Sequence, residues 1–140
     1  DLGVRILGND EDLFTLPGVD ILAPCALGAV LDHRVISELT APIVCGTANN
    51  VLAEPEADGQ LLKNRGIIYA PDFIANAGGV IHLAGLYSGL TAEEIDEKVA
   101  AIESTTKTVL EATAVHASAY DAAVAFAKER IQVGKTTQLA

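Results

Sequence analysis

The stretch Ile67–Ile81, IIYAPDFIANAGGVI, decides how the chain is read. An apolar run, Ile67–Ala70, stops at Pro71–Asp72, and the glycine pair Gly78–Gly79 precedes a second apolar run. That order predicts a buried strand, a turn, and a helix from about Gly79 to Tyr87 whose first turn carries no bulk. Glycine there lets a ligand approach the backbone, and a helix N-terminus exposes unpaired N–H groups. Asn76 adds a side-chain amide, donor and acceptor in one group. The stretch reads as a candidate ligand mouth, although a plain helix start accounts for an isolated Asn-x-Gly-Gly equally well.

Upstream, strands alternate with helical spacing. Val4–Leu7 is a short strand candidate, and Asn9–Leu16 is acidic enough for one or two helical turns. Val19–Cys25 is a stronger strand, with Val19–Ala23 at its heart, and Gly28–Leu39 shows helical spacing through Ala29, Leu31, Val35 and Leu39. Ile43–Cys45 is the next strand. Val51–Asn64 is helical in outline, interrupted by Pro55 and Gly59. Downstream, Thr91-Ala-Glu-Glu94 has the form of a capping box. The helix it opens runs to about Ala117, roughly 26 residues and ~39 Å long. Ser118 is placed to cap a last helix, Ala119–Ile131, with Val124, Ala127 and Ile131 inward, and Gly134–Ala140 reads as a frayed tail.

Strand–helix alternation gives an α/β fold with a mostly parallel sheet, covered by helices on both faces and followed by C-terminal α-helices. In such open sheets ligands bind beyond the strand C-termini. Three strands end in unusual chemistry: Cys25-Ala-Leu-Gly28, Gly46-Thr-Ala-Asn-Asn50 and Asn76-Ala-Gly-Gly79. Small residues and amides side by side suit a flat, polar ligand held partly through backbone, and favour a site over coincidence.

With 140 residues, half of them hydrophobic and 4% aromatic, the chain can bury one core built from Ala, Val, Ile and Leu. A formal net charge of −10, from 19 acidic and 9 basic residues, argues against nucleic acid and anionic membranes as partners. No apolar run reaches the roughly 20 residues of a bilayer span, and nothing resembles a signal peptide. Glu93, Glu94, Asp96 and Glu97 fall on an expected solvated helix face. Cys25 and Cys45 fit a reduced, cytoplasmic setting and read as small buried hydrophobes. His33, His82 and His116 lack metal-ligand spacing. The start at Asp1 and the absence of Met point to a fragment, a processed product or a trimmed piece.

The segments APCALGAVL (Ala23–Leu31), GTANN (Gly46–Asn50) and GIIYAPDFIANAGGVI (Gly66–Ile81) resemble, in that order, the glutamate/leucine/phenylalanine/valine dehydrogenases, above all the leucine, valine and phenylalanine branch. The resemblance covers nearly all the chain. It implies a partial Rossmann-like fold, with residues 1–90 as the latter part of an NAD-binding domain and 91–140 as a C-terminal helical segment packing on it as one unit. The implied activity is oxidative deamination of an aliphatic or aromatic L-amino acid to a 2-oxo acid, with hydride passing to NAD. By resemblance, Cys25, Ala26 and Leu27 lie along the cofactor near its ribose. Ala48 and Asn49 sit close to the nicotinamide, Asn49 also reaching the substrate, and Asn76 holds the nicotinamide carboxamide. Val80 and Leu83 match positions that wall the substrate side-chain pocket.

The sequence also departs from the family. Its catalytic lysines and acid–base aspartate belong to an N-terminal domain that these residues do not match, and the Gly-x-Gly-x-x-Gly unit for the pyrophosphate is absent from them. The family usually has an amide where His82 stands and an acid where Gly85 stands; His82 reads as a partly buried helix histidine. The resemblance thus implies a piece that is inactive alone and joins either a second copy, as a homo-oligomer, or the N-terminal part. In the Rossmann strand order, Val19–Ala23 lacks its usual neighbours, so its edge needs a cover: Val4–Leu7 moving inward, a second copy, or the remainder of the enzyme. The alternative is a non-catalytic scaffold or oligomerisation module derived from that domain. A Cys25 or Cys45 nucleophile has no local motif behind it.

Overall fold

The computed structural model describes residues 3–8 and 12–138. Three short strands, β1 (Ile21–Leu22), β2 (Ile43–Val44) and β3 (Ile68–Tyr69), form a parallel sheet in the order β1-β2-β3. The register pairs Ile21 with Ile43 and Ile43 with Ile68, and likewise Leu22, Val44 and Tyr69. Six helices follow and intervene: α1 (His33–Glu38), α2 (Pro55–Asn64), α3 (Asp72–Ala75), α4 (Gly78–Tyr87), α5 (Ala92–Ala112) and α6 (Ala119–Gln138). Parallel strands with helical crossovers make a Rossmann-like α/β sheet, as the alternation predicts.

The sheet is not covered on both faces. Leu22, Val44 and Tyr69 are buried in the main core with Leu31, Ile36 and Leu62, whereas Ile21 and Ile68 on the opposite face are each at least half exposed. Continuous apolar strands are the mark of double-sided burial, and here only one side is met among the described residues. The outer edge of β1 pairs with no strand among the described residues. Val4–Leu7 forms no strand, with Val4 and Ile6 exposed, so it does not cover that edge. Part of Asn9–Leu16 lies outside the described residues. The remainder makes a turn in which the Asp12 carboxylate accepts the Phe14 N–H, and Thr40 bonds the carbonyls of Phe14 and Leu16.

The helices depart from the sequence reading where backbone groups have better partners. Gly28–Asp32 is not helical. Its arm pairs with the chain after β2, Ala29 N–H donating to Asn50 O (2.7 Å) and Leu31 N–H to Val51 O (2.9 Å), and Leu31 is wholly buried. Asp32 then caps α1 by accepting the Val35 N–H at 2.7 Å. Pro55 does not interrupt α2 but starts it, where a missing N–H costs nothing. Gly59 is where α2 touches the start of α6: a Cβ there would stand 3.0 Å from Ser118 Oγ and 3.3 Å from the Tyr120 Cβ.

The capping box at Thr91 forms as predicted. Glu94 accepts from the Thr91 N–H and hydroxyl, which hold its carboxyl below the usual range, so this contribution to stability is present at neutral pH and is lost as pH falls through the lowered value. α5 ends at Ala112 rather than near Ala117. Lys63 of α2 donates to Thr113 O (2.8 Å) and His116 O (2.6 Å), taking carbonyls that a continuing helix would use. Ser118 caps α6, accepting the Asp121 N–H. That helix runs on through Gln138, past the expected tail, and Ile131 is exposed rather than inward. Replacing Lys63 with Ala leaves these carbonyls to water and is expected to cost about 1 kcal/mol, read as a lower urea midpoint with an unchanged slope.

Candidate functional site

The C-terminal ends of the strands meet at one lip. Pro24 O, just beyond β1, accepts the N–H groups of both Thr47 and Ala48 at 2.9 Å, tying the first strand end to the second. The approach requires Gly46, since a Cβ there would stand 2.1 Å from Pro24 O. Gly28 is packed almost as closely, and a Cβ on it would lie 2.8 Å from Asn49 O. Ala29 (φ 54°) and Asn50 (φ 52°) both occupy the left-handed region, which a non-glycine residue enters at a cost. Asn50 tolerates it better than alanine does.

The third strand end supplies the amide. β3 ends at Tyr69, α3 makes one turn after Pro71, and Asn76 closes it before α4 begins at Gly78. Asn76 Nδ2 donates to Asn49 Oδ1 at 2.5 Å and lies 3.5 Å from the carbonyls of Thr47 and Ala48. The carbonyls of Thr47 and Ala48 can only accept, which assigns nitrogen to this end of the Asn76 amide and oxygen to the end of Asn49 that meets it. Among the described residues, Asn76 Oδ1 and Asn49 Nδ2 have no hydrogen-bond partner, so the pair keeps one acceptor and one donor for something else.

The other candidate residues divide by exposure. Cys25, Ala26 and Leu27 are exposed on the first loop, next to the Gly28–Asn49 contact. Ala48 is buried, so only its main chain could meet a ligand. Val80 and Leu83 project from α4 at 65% and 68% exposure, Val80 in the turn just past Asn76. His82 is exposed, not partly buried, because α4 turns Gly85 to the core: a Cβ at Gly85 would press on Ile95 at 2.6 Å. A cavity of about 560 Å³ between α3, α4, α5 and α6, lined by Phe73, Ile81, Ile102 and Phe126, includes neither Asn49 nor Asn76. The candidate site is therefore the lip on the sheet, separate from that cavity.

Both cysteines are free and exposed, contrary to the expected burial: Cys45 belongs to the strand end beside the bare sheet face, and Cys25 to the lip. The Thr47 hydroxyl, and then its N–H, stabilise the Cys25 thiolate and lower its pKa. Cys25 is therefore expected to be alkylated by iodoacetamide faster than Cys45 near neutral pH, by peptide mass spectrometry, and Thr47→Val, which removes the hydroxyl but keeps the N–H, to narrow the difference. Among the described residues no group of His, Cys, Asp and Glu is arranged to hold a metal, and no helix is long and apolar enough to cross a membrane.

Sequence reading missed Asp72. It is 7% exposed, and its carboxylate accepts the Val51 N–H (2.9 Å) and the Phe73 N–H (2.7 Å). An acid directly after a strand-ending proline was the one signal, and it reads as an ordinary turn. Nearby Tyr69 has its phenol pushed well above the ordinary range by burial first and by the Asp72 charge second, so it stays neutral.

Parallel strands, crossover helices and a backbone-lined lip at the strand C-termini define a Rossmann-like α/β domain. The chain belongs to the Glutamate/Leucine/Phenylalanine/Valine dehydrogenase family, whose sequence profile matches residues 3–138. It is 41% identical over 133 residues to leucine dehydrogenase of Bacillus subtilis, covering 94% of this chain and 36% of that protein. It is 44% identical over 103 residues to valine dehydrogenase of Streptomyces virginiae, covering 74% of this chain and 28% of that one. The crystal structure of L-tryptophan dehydrogenase from Nostoc punctiforme superposes with a TM-score of 0.81 at 36% identity, over 89% of this chain and 37% of that one. The chain thus spans about a third of the length of the curated relatives it matches.

Proposed function

We propose that this chain is the nicotinamide-side part of an NAD-dependent L-amino-acid dehydrogenase, an enzyme that converts an aliphatic or aromatic L-amino acid to its 2-oxo acid. The observation that carries this reading is the Asn49–Asn76 pair, which retains an acceptor at Asn76 Oδ1 and a donor at Asn49 Nδ2. A carboxamide offers the complementary donor and acceptor on one planar group. Bound there, NAD would supply the hydride acceptor. Leu27, with Cys25 and Ala26, would lie along the ribose, Asn49 would also reach the substrate, and Val80 and Leu83 would wall its side chain.

Deamination also needs a group that takes a proton from the amine. Lys63 is committed to carbonyls, and Lys98, Lys107 and Lys128 are exposed on α5 and α6, none of them bonded to Asn49 or Asn76 among the described residues. The proton-handling half belongs to another part of the intact enzyme, and the isolated chain is expected to show no NADH formation with leucine, valine or phenylalanine. NMR titration with NAD is expected to move the Asn49 and Asn76 side-chain amide signals at concentrations in the millimolar range. Unmoved amides at the highest ligand concentration, or a measurable rate from the chain alone, would overturn the reading. Two exposed free cysteines fit a reducing, cytoplasmic setting.

The exposed apolar row of α4 (Val80, Leu83, Leu86 and Tyr87) and the bare Ile21–Ile68 sheet face favour a second reading, a scaffold that assembles with itself or with the remainder of an enzyme. Sedimentation of the chain alone separates self-assembly from a stable monomer.

A further inference from the structure

We propose that Asp72 is the positioning residue of the lip, its carboxylate and its carbonyl together setting the distance between the loops that carry Asn49 and Asn76, which rests on the ring-binding reading of that lip. The carboxylate accepts the N–H of Val51, which lies 21 positions away in sequence and just after the Asn49–Asn50 turn. The carbonyl of the same residue accepts the Asn76 N–H at 2.8 Å. One residue thus grips both loops.

An acid needed only to start α3 would serve first-turn N–H groups, as Asp72 does at Phe73. The reach to Val51 does something else. Val51 O is taken by Leu31 N–H and Asn50 O by Ala29 N–H, so the left-handed turn at Asn50 is held on one side by the β1 loop. The Val51 N–H faces the other way and is satisfied by Asp72 alone among the described residues. Held from both sides, the turn keeps Asn49 Oδ1 within reach of Asn76 Nδ2. A buried carboxylate is costly without hydrogen-bond partners, and main-chain N–H groups supply them here. The Tyr69 hydroxyl, 3.3 Å from the Asp72 N–H, completes the setting.

The test is Asp72→Asn, which keeps the shape but offers one acceptor oxygen where two are used. Without ligand, the Asn76 side-chain amide resonances are expected to move toward those of a free amide, with a cooperative melt retained. Affinity for nicotinamide mononucleotide is expected to fall at least about ten-fold. A folded variant with Asn49 and Asn76 amide signals as in the wild type, whatever its melting temperature, would overturn the proposal. Should the variant not fold, hydrogen exchange on the wild type decides: the Val51 main-chain and Asn76 side-chain amides are expected to open together, with matched protection, and independent opening would count against the clamp. A wild-type chain that ignores nicotinamide mononucleotide would sink the ring-binding reading alone, because the ligand-free amide shifts still judge Asp72.

Discussion

Gly46→Ala is expected to lower the stability of the chain by about 3 kcal/mol or more, and to do so by prising two strand ends apart. The added Cβ would stand 2.1 Å from Pro24 O and 2.6 Å from Pro24 N. Both are backbone atoms, so no side-chain rotation relieves the clash. Relief requires the loop after β1 to move from the loop after β2, which breaks the bonds from Thr47 and Ala48 N–H to Pro24 O. Ala48 is buried, and its N–H left without an acceptor adds about 1–3 kcal/mol. Against a typical domain stability of about 5–15 kcal/mol, such a loss is a large share. Gly79→Ala is the control. Nothing lies within 4 Å of its Cβ position and the residue is helical, so it is expected to be neutral or to stabilise by up to about 1 kcal/mol. Urea denaturation measures both, and a Gly46→Ala midpoint equal to wild type would mean that the strand ends are not closely apposed.

The contrast between these two glycines shows what could be read from the sequence. Gly78–Gly79 drew attention as a pair, yet Gly79 has open space around it. Gly46 reads in the sequence only as the start of the Gly46–Asn50 strand end, yet of the glycines it has the closest backbone neighbour. Local pattern reports φ/ψ freedom and helix starts. It does not report which two backbones meet, because that depends on residues distant in sequence. The three main strands, the box at Thr91 and the Ser118 cap were legible because each rests on neighbours within a few residues: alternating or continuous apolar runs, or a cap and its third residue on.

The misreadings have the same origin. Leu31 fits a helical period, but its N–H and C=O are taken by Val51 and Ala53, and Asp32 is the better cap. The early end of α5 depends on Lys63, far upstream, and no periodicity within α5 reveals it. The apolar runs Ile21–Ala23 and Ile67–Ala70 describe a sheet buried twice, while the described residues bury it once. That mismatch is what the proposed larger enzyme would resolve, by covering the second face. At the lip, Asn76 and Asn49 were legible as amides at strand ends. Asp72, which joins their loops, was hidden because a turn aspartate needs no further explanation.

Asn76→Asp is expected to abolish measurable ring binding at the lip while leaving the sheet folded, and it tests charge rather than shape. Asn76 Nδ2 is surrounded by Asn49 Oδ1, Thr47 O and Ala48 O. Aspartate is nearly isosteric, but at neutral pH it places a negative oxygen against three acceptors and removes the Nδ2 donor between them. The Asn49 side chain must turn away, and the acceptor–donor pair offered to a carboxamide is lost. The expected fall in NAD affinity is at least about ten-fold, equivalent to about 1.4 kcal/mol. Acceptors on all sides disfavour the ionised form, so the new carboxyl titrates in the folded chain above its unfolded value of about 3.9. The unfolded state therefore ionises first as pH rises, and the stability deficit relative to wild type grows from about pH 4 up to the raised folded value. Acidification should restore stability, because the protonated carboxyl regains a donor for Asn49 Oδ1. Asn76→Ala removes the donor without the charge; it is expected to lose the ring equally but to show no such pH dependence. Parallel melts of the two variants across that pH range, with NAD titrations at neutral pH, separate the contributions. Equal pH profiles would show that the three oxygens do not surround Asn76, and retained NAD affinity in both variants would remove the amide pair from ring recognition.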